Sequence, residues 1–334
     1  MERRAGAVEA VELELGEHSM LVTGGYGLLG GWLVRMLVEG GARVTVLRRD
    51  ETVRSGLAAM DLEPLVNIVS GDVADGALLE RTLADYEVDS VFHLAAQTLV
   101  PTANASPRST FQTNIAGTWE LLEACRAHGA ERVIVASSDK AYGPHQDLPY
   151  RETHALQPVF PYDVSKAATD LLSRSYWHTW GLPVAVTRFA NLYGGGDFNR
   201  SRLIPEAISA ALAGRSPIVR SDGSPERDFL YVEDAVAAYL AIWTLLGDGQ
   251  GRGEAFNAGG SRPHRVLDVV ETVCRLAGTG VTPEVRGTGT PAGEIDRQWV
   301  DAGKLRALTG WAPQVELEAG LERTIEWYRR YGVA

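Results

Sequence analysis

Ser19-Met20-Leu21-Val22-Thr23-Gly24-Gly25-Tyr26-Gly27-Leu28-Leu29-Gly30 is the stretch from which the rest of the chain can be read. Residues 19–23 form a short apolar run of strand type. Apolar residues at Leu29, Leu33, Met36 and Leu37 then recur at helical spacing, predicting a helix over 28–40. Between the two, Gly24, Gly27 and Gly30 give the pattern G-x-x-G-x-x-G. Glycines at a strand-to-helix turn allow a tight backbone path and let a pyrophosphate approach the positive end of the helix. The alternative is an ordinary Gly-rich loop, but the position at the first strand–helix junction favours a dinucleotide site.

Working outward, short apolar strands recur at 43–48, 66–70, 90–94, 132–137 and 183–188, with helical patterns over 77–86, 110–128 and 162–180. This alternation predicts an α/β fold, a Rossmann-type parallel sheet with helices on both faces. Ligands of such sheets collect at the carboxyl ends of the strands. Those ends carry residues 24–30, Asp72, 95–97 and 137–140, so these segments converge on one edge. Beyond Phe189, loops rich in Gly, Arg and Pro alternate with helices near 203–212, 232–246, 266–276 and 317–331. The expected organisation is an N-terminal extension (1–18), a dinucleotide-binding domain (19–188) and a smaller C-terminal α/β substrate lobe (189–334). Segments of the lobe are allowed to cross back to the sheet.

The chain has 334 residues, 45% of them hydrophobic, enough for a large core. Lys and Arg number 32 against 43 Asp and Glu, a net charge of −11, which argues against a nucleic-acid surface. No apolar run reaches the length of a membrane span, and residues 1–18 lack the apolar centre of a signal peptide. Cys125 and Cys274 have no metal-ligand spacing and suggest a reducing compartment, hence a cytoplasmic protein. The seven histidines are scattered, and no metal site is expected.

Tyr162 and Lys166 stand one helical turn apart, on the same face. An ammonium beside a phenol favours the phenolate, which predicts a Tyr162 pKa lowered by Lys166. A phenolate that takes a proton from a hydroxyl suits hydride chemistry without a metal.

Taken together, the motifs resemble the extended short-chain dehydrogenase/reductase superfamily, in its nucleotide-sugar epimerase/dehydratase branch, over about residues 19–331. The resemblance is carried by residues 23–30, Gly71-Asp72-Val73, His93-Leu94-Ala95-Ala96, Asn114, Ser137-Ser138-Asp139-Lys140-Ala141-Tyr142-Gly143, Tyr162 with Lys166, 188–194 and 227–234. Ser138-Asp139-Lys140, and the Gly-Gly-Gly-Asp and Arg-Leu-Ile-Pro of 194–205, are similar to CDP-glucose 4,6-dehydratases. Residues 227–234 resemble instead the dTDP-glucose dehydratase and epimerase pattern.

The resemblance implies conversion of a nucleotide-diphosphate hexose to its 4-keto-6-deoxy form on an internally recycled nicotinamide cofactor, with a 4-epimerase as the alternative. A non-catalytic dinucleotide-binding protein is a further alternative, against which the presence of both Tyr162 and Lys166 counts. The implied catalytic set is Ser138, Asp139, Lys140, Tyr162 and Lys166. Asp139 is the acid for the leaving C6 hydroxyl and Lys140 the base at C5. A lysine base must be desolvated or sit near other cations, and the competing structural reading is an Asp139–Lys140 salt bridge. Cofactor contacts are expected from Gly24, Gly27, Leu28, Leu29, Arg48, Asp50, Asp72, Val73, Leu94, Ala95, Ala96, Asn114, Tyr162 and Lys166. Asp50 at the end of the second strand suits the ribose of NAD, whereas Arg48 there would suit NADP; NAD is the expectation. Asp72 is assigned to adenine, with a helix cap as its alternative. Gln97, Asn191, Arg202, Arg227 and Arg297 are the substrate-binding candidates, since a diphosphate needs arginines and amide donors. A homodimer pairing helices 110–128 and 162–180 is expected from the same resemblance.

Overall fold

A computed structural model describes residues 15–51, 54–260, 262–290 and 294–332. The expected extension falls mostly on residues 1–14, outside the described residues. Residues 15–18 pack against the fold, with Leu15 in the core and His18 Nδ1 3.1 Å from Asp89 Oδ1.

Six strands run in chain order as β1 (Ser19–Thr23), β2 (Arg43–Arg48), β3 (Asn67–Ser70), β4 (Ser90–His93), β5 (Arg132–Ala136) and β6 (Val184–Phe189). They lie in the spatial order β3-β2-β1-β4-β5-β6, all parallel, and a seventh strand, Ala255–Ala258, pairs with β6 in the same direction. That last strand comes from well beyond residue 188. The order reverses between β1 and β4, where a crevice opens at the carboxyl ends.

Side-chain alternation fills both faces of β1. Met20 and Val22 join a core with Leu33 and Leu37 of helix α1 (Leu28–Glu39) and with Val236, Tyr239 and Trp243 of the helix Val232–Gly247. Leu21 points the other way, into a core with Leu79, Leu83, Leu121, Leu122 and Tyr176. A third core, around Ile204, Ile208, Val270, Val273, Leu321 and Ile325, holds the C-terminal lobe.

The expected helix over 110–128 is not continuous. Pro107–Phe111 and Gly117–His128 are α-helical, and Gln112–Ala116 between them is a wider, π-helical turn. The main-chain carbonyl of Asn114 accepts the hydroxyls of Thr118 (2.6 Å) and Thr169 (2.8 Å), which compete with the regular helical bond there.

One buried ion pair joins the elements around the crevice. Arg188 on β6 is 1% exposed, and it donates from Nε to Asp170 Oδ2 (2.7 Å) and from Nη2 to Asp170 Oδ1 (2.9 Å) on the helix Pro161–Trp180. Its Nη1 donates to the Tyr142 hydroxyl at 3.0 Å, which in turn donates to Asn257 Oδ1 at 2.7 Å. Removing one partner leaves an uncompensated buried charge, so Asp170→Ala should cost about 3–5 kcal/mol. Urea unfolding would measure this; a loss of less than about 1 kcal/mol, the range of a surface pair, would contradict it.

Candidate active site

The site is assembled at the carboxyl ends of β1, β4 and β5. At the first of these, the hydroxyl of Thr23 accepts the amides of Leu94 and Ala95, each at 3.2 Å, drawing the loop after β4 onto the glycine turn. Gly24 has φ +75°, and a Cβ there would lie 2.7 Å from the carbonyl carbon of Leu94. A Cβ on Gly30 would overlap the carbonyl oxygen of Gly24. Both glycines are therefore required by close backbone approach, leaving the amino end of α1 bare toward the crevice. His93 lies beneath, with Nδ1 2.8 Å from Thr23 Oγ1 and Nε2 3.1 Å from Thr118 Oγ1. Burial, aided by the charge of Lys166, lowers its pKa to about 3, so it is a neutral structural link.

All the predicted site residues except Asp72, Gln97, Asn114 and Arg297 line one continuous cleft of about 950 Å³. Each of those four has side-chain contacts within the protein. Asp72 Oδ1 accepts the Ala74 amide at 2.9 Å, and the following helix is capped by Asp75 instead. Gln97 folds its side chain onto the main chain of Leu99, and its neighbour Thr98 faces the cleft. Asn114 is 1% exposed, and its amide is spent on the protein. It accepts the Gln97 amide (2.7 Å) and donates to Ser165 Oγ (2.9 Å), holding the β4 loop to the 161–180 helix. Arg297 pairs with Glu226 Oε2 at 2.8 Å, with its side chain 58% exposed. The ladder sets Arg297 opposite Glu226 and Gln298 opposite Arg227, so alternation turns Arg297 away from the face that Arg227 uses.

The cleft contains groups not anticipated from the sequence. Arg227 donates to Glu294 Oε2 at 2.9 Å, and Arg202 donates to Asp197 Oδ2 and Thr98 Oγ1, each at 3.0 Å. Asp197 belongs to the Gly-Gly-Gly-Asp motif, and Glu294 to the same short segment as Arg297. The motifs were visible, but nothing in their spacing marked these carboxylates as partners of the arginines. Asn191 donates to the Asp228 carbonyl at 3.1 Å and also borders the cleft. At the far end, Arg48 reaches Ser70 Oγ at 3.4 Å, and Asp50 accepts from Arg49 at 2.7 Å.

Tyr162 and Lys166 share one helix face, as the spacing requires, but their electrostatics depart from expectation. Burial raises the Tyr162 pKa to about 12, against the lowering effects of Arg202 and the Ser138 hydroxyl. Lys166 donates to the Ala136 carbonyl at 2.8 Å, and burial lowers its pKa to about 8. A four-residue spacing places side chains on one face but does not determine where the ammonium points.

Ser138 donates to Asp139 Oδ1 at 3.0 Å, while Asp139 Oδ2 is buried beside the cleft without a protein partner. Burial raises the Asp139 pKa to about 6, against the lowering charge of Lys140. Asp163, next to Tyr162 and 2% exposed, is likewise raised by burial to about 6. Among the described residues Lys140 is in no ion pair, so the salt bridge considered from the sequence is absent. No group of three or more His, Cys, Asp or Glu among the described residues is arranged to hold a metal ion.

Residues 20–259 match the NAD dependent epimerase/dehydratase family, and the chain belongs to that family. It is 36% identical to the dTDP-glucose 4,6-dehydratase of Xanthomonas campestris pv. campestris (strain B100), with 92% of each chain covered. A dTDP-glucose 4,6-dehydratase from Streptomyces venezuelae, solved with NAD bound, superposes with a TM-score of 0.84 at 32% identity, covering 93% of this chain and 97% of the other. The UDP-glucose 4-epimerase of Thermotoga maritima, solved with UDP-glucose, gives 0.86 at 29% identity, covering 93% and 99%.

The raised Asp139 carboxyl has a consequence for stability. Its pKa rises from 3.8 to about 6 on folding, so its neutral form is favoured in the folded state. Stability is then fullest below the unfolded value and declines as pH rises toward the folded one, by on the order of 3 kcal/mol. Asp139→Asn keeps the acceptor for Ser138 and removes the ionisation. It should stabilise the protein at pH 8, and the gain should fade toward pH 4, as read by urea unfolding at the two pH values. An equal effect at both would show that Asp139 ionises normally.

Proposed function

We propose that the protein is a nucleotide-hexose 4,6-dehydratase, removing water from an NDP-hexose to give its 4-keto-6-deoxy form with NAD as a recycled cofactor. The observation that carries this reading is the buried Asp139, its pKa raised to about 6, next to Lys140 in the Tyr162–Lys166 cleft. A 4-epimerase needs Tyr162, Lys166 and Ser138 but has no use for an acid and a base at C6 and C5. The dehydratase names of the relatives support the same choice.

The dinucleotide fits the residues present: Gly24 and Gly30 keep the backbone bare, and Thr23 fixes the loop that forms the opposite wall. NAD supplies the hydride acceptor, and later the donor, when bound. Tyr162 takes the proton of the C4 hydroxyl, Lys166 supplies a positive charge one turn away, and Ser138 holds the C4 oxygen. The resulting ketone acidifies the C5 proton, which passes to Lys140, and Asp139 protonates the departing C6 hydroxyl. Asn191, Arg202 and Arg227 take the diphosphate, while Asp50 and Arg48 border the adenosine end.

The protein is assigned to the cytoplasm on its free, buried Cys125 and Cys274. No helix among the described residues is long and apolar enough to cross a membrane. Val164 and Leu171, seven residues apart on the 161–180 helix, are 36% and 57% exposed, and Trp119 on the Gly117–His128 helix is 42% exposed. Covering this stripe by a second copy gives a homodimer. Leu171→Arg should shift the protein to monomer in sedimentation; wild-type protein that already sediments as a monomer would refute the dimer.

The decisive experiment incubates the protein with dTDP-, UDP-, CDP- and GDP-hexoses in heavy water. A product lighter by one water and carrying one solvent deuterium is expected from one nucleotide, with Lys140→Met still oxidising C4 but incorporating no deuterium. An unchanged mass with inverted C4 would make the protein an epimerase.

A further inference from the structure

Tyr26 is the only side chain in the turn Gly24–Gly27, and the pyrophosphate contact that the glycines permit gives it no task. The turn is seated on β2, since a Cβ on Gly25 would lie 2.6 Å from Val46 Cγ1. Val46 and Arg48 stand two residues apart on that strand and share a face by alternation. Val46 belongs to the core against which Tyr26 is packed, whereas Leu47 belongs to the core on the opposite face. Tyr26 and Arg48 therefore meet on one side of the sheet, at the carboxyl end of β2, and both line the cleft. Glu63 reaches the same side from the short turn Glu63–Leu65 ahead of β3, between Leu62 and Val66, which pack with that core. The Tyr26 hydroxyl donates to Glu63 Oε1 at 2.9 Å. Burial and Glu63 push the Tyr26 pKa up, against the opposing charge of Arg48.

We propose that Glu63, held in place by Tyr26, makes the adenosine end of the cleft selective for NAD over NADP by cancelling the attraction of Arg48 for a 2′-phosphate. An arginine at the end of β2 is otherwise the group that accommodates that phosphate. The next cation, Arg49, is paired with Asp50 at 2.7 Å. A phosphate monoester brings about two negative charges to a corner where Arg48 and Arg49 are already met by Asp50 and Glu63. The ribose hydroxyl of NAD is neutral and loses nothing by that balance. The proposal deepens the cofactor part of the dehydratase reading and rests on the dinucleotide lying in this cleft.

The test is an exchange at equilibrium. NAD-loaded full-length protein is dialysed against equal concentrations of NAD and NADP, and the bound dinucleotides are released and quantified by chromatography. Wild type should retain mostly NAD. Glu63→Gln keeps an acceptor for the Tyr26 hydroxyl and removes the charge, and it should shift the bound NADP:NAD ratio toward NADP by roughly five- to tenfold. That gain should shrink at high salt and vanish when Arg48→Ala is added. Tyr26→Phe, which unties the carboxylate without removing it, should shift the ratio the same way by less. An unchanged ratio in Glu63→Gln, or a gain that survives Arg48→Ala, would overturn the proposal. So would wild-type protein that takes up both dinucleotides equally. Protein that binds neither dinucleotide would overturn the cofactor assignment along with it. The exchange needs no turnover, so failure on the nucleotide-hexose panel would count against the dehydratase reading alone.

Discussion

The bidentate bond between Arg188 and Asp170 is the constraint on which the geometry of the site depends. A guanidinium and a carboxylate removed from water must satisfy each other and nearly every remaining donor. Meeting that demand fixes the orientation of the 161–180 helix against β6. Through the Tyr142 hydroxyl it also fixes the short turn Asp139–Tyr142, and through Asn257 the strand Ala255–Ala258. The two segments of the candidate site, one bearing Ser138, Asp139 and Lys140 and the other Tyr162 and Lys166, are thereby set relative to each other by charge as well as by apolar packing. Apolar contacts tolerate sliding; a two-pronged ion pair does not.

Above that anchor, the cleft collects carboxyl groups in dry surroundings. Asp139 and Asp163 are both pushed toward neutrality by burial, in a chain already carrying an excess of acids. Such an arrangement favours chemistry over folding, since a carboxyl whose pKa is raised toward neutrality can exchange a proton but weakens the native state when it ionises. The arginines show the complementary pattern. Arg202 and Arg227 are held by Asp197 and Glu294. In the proposed reading, an incoming diphosphate would meet cations that are already oriented and partly neutralised, and binding would be an exchange of anionic partners.

How far the sequence could be read depended on whether function resided in the backbone or in side-chain direction. The glycine turn at 24–30, the alternating strands and the Tyr162–Lys166 spacing are backbone statements, and each appears where periodicity placed it. Asn114 shows the limit. Its position in a family motif was evident, but its role as a brace between the β4 loop and Ser165 depends on which partners the fold brings within reach. The placement of Arg297 was hidden for a simpler reason: in a strand, one position decides which face a side chain occupies, and the two-residue pairing with Glu226 and Arg227 could not be inferred from local sequence. The direction of Lys166 and the acid partners of Arg202 and Arg227 are long-range facts of the same kind.

The strand Ala255–Ala258 closes one edge of the sheet with residues drawn from within the C-terminal lobe. Without it, β6 would present an unpaired row of amides and carbonyls along a wholly buried strand, an open template for joining another chain. The two lobes are thus interlaced rather than appended, and neither is an exchangeable module. Recombination that swapped everything after β6 would have to bring a matching edge strand with it. Within this architecture, new substrate preferences are therefore more accessible through changes in the intervening loops than through shuffling of domains.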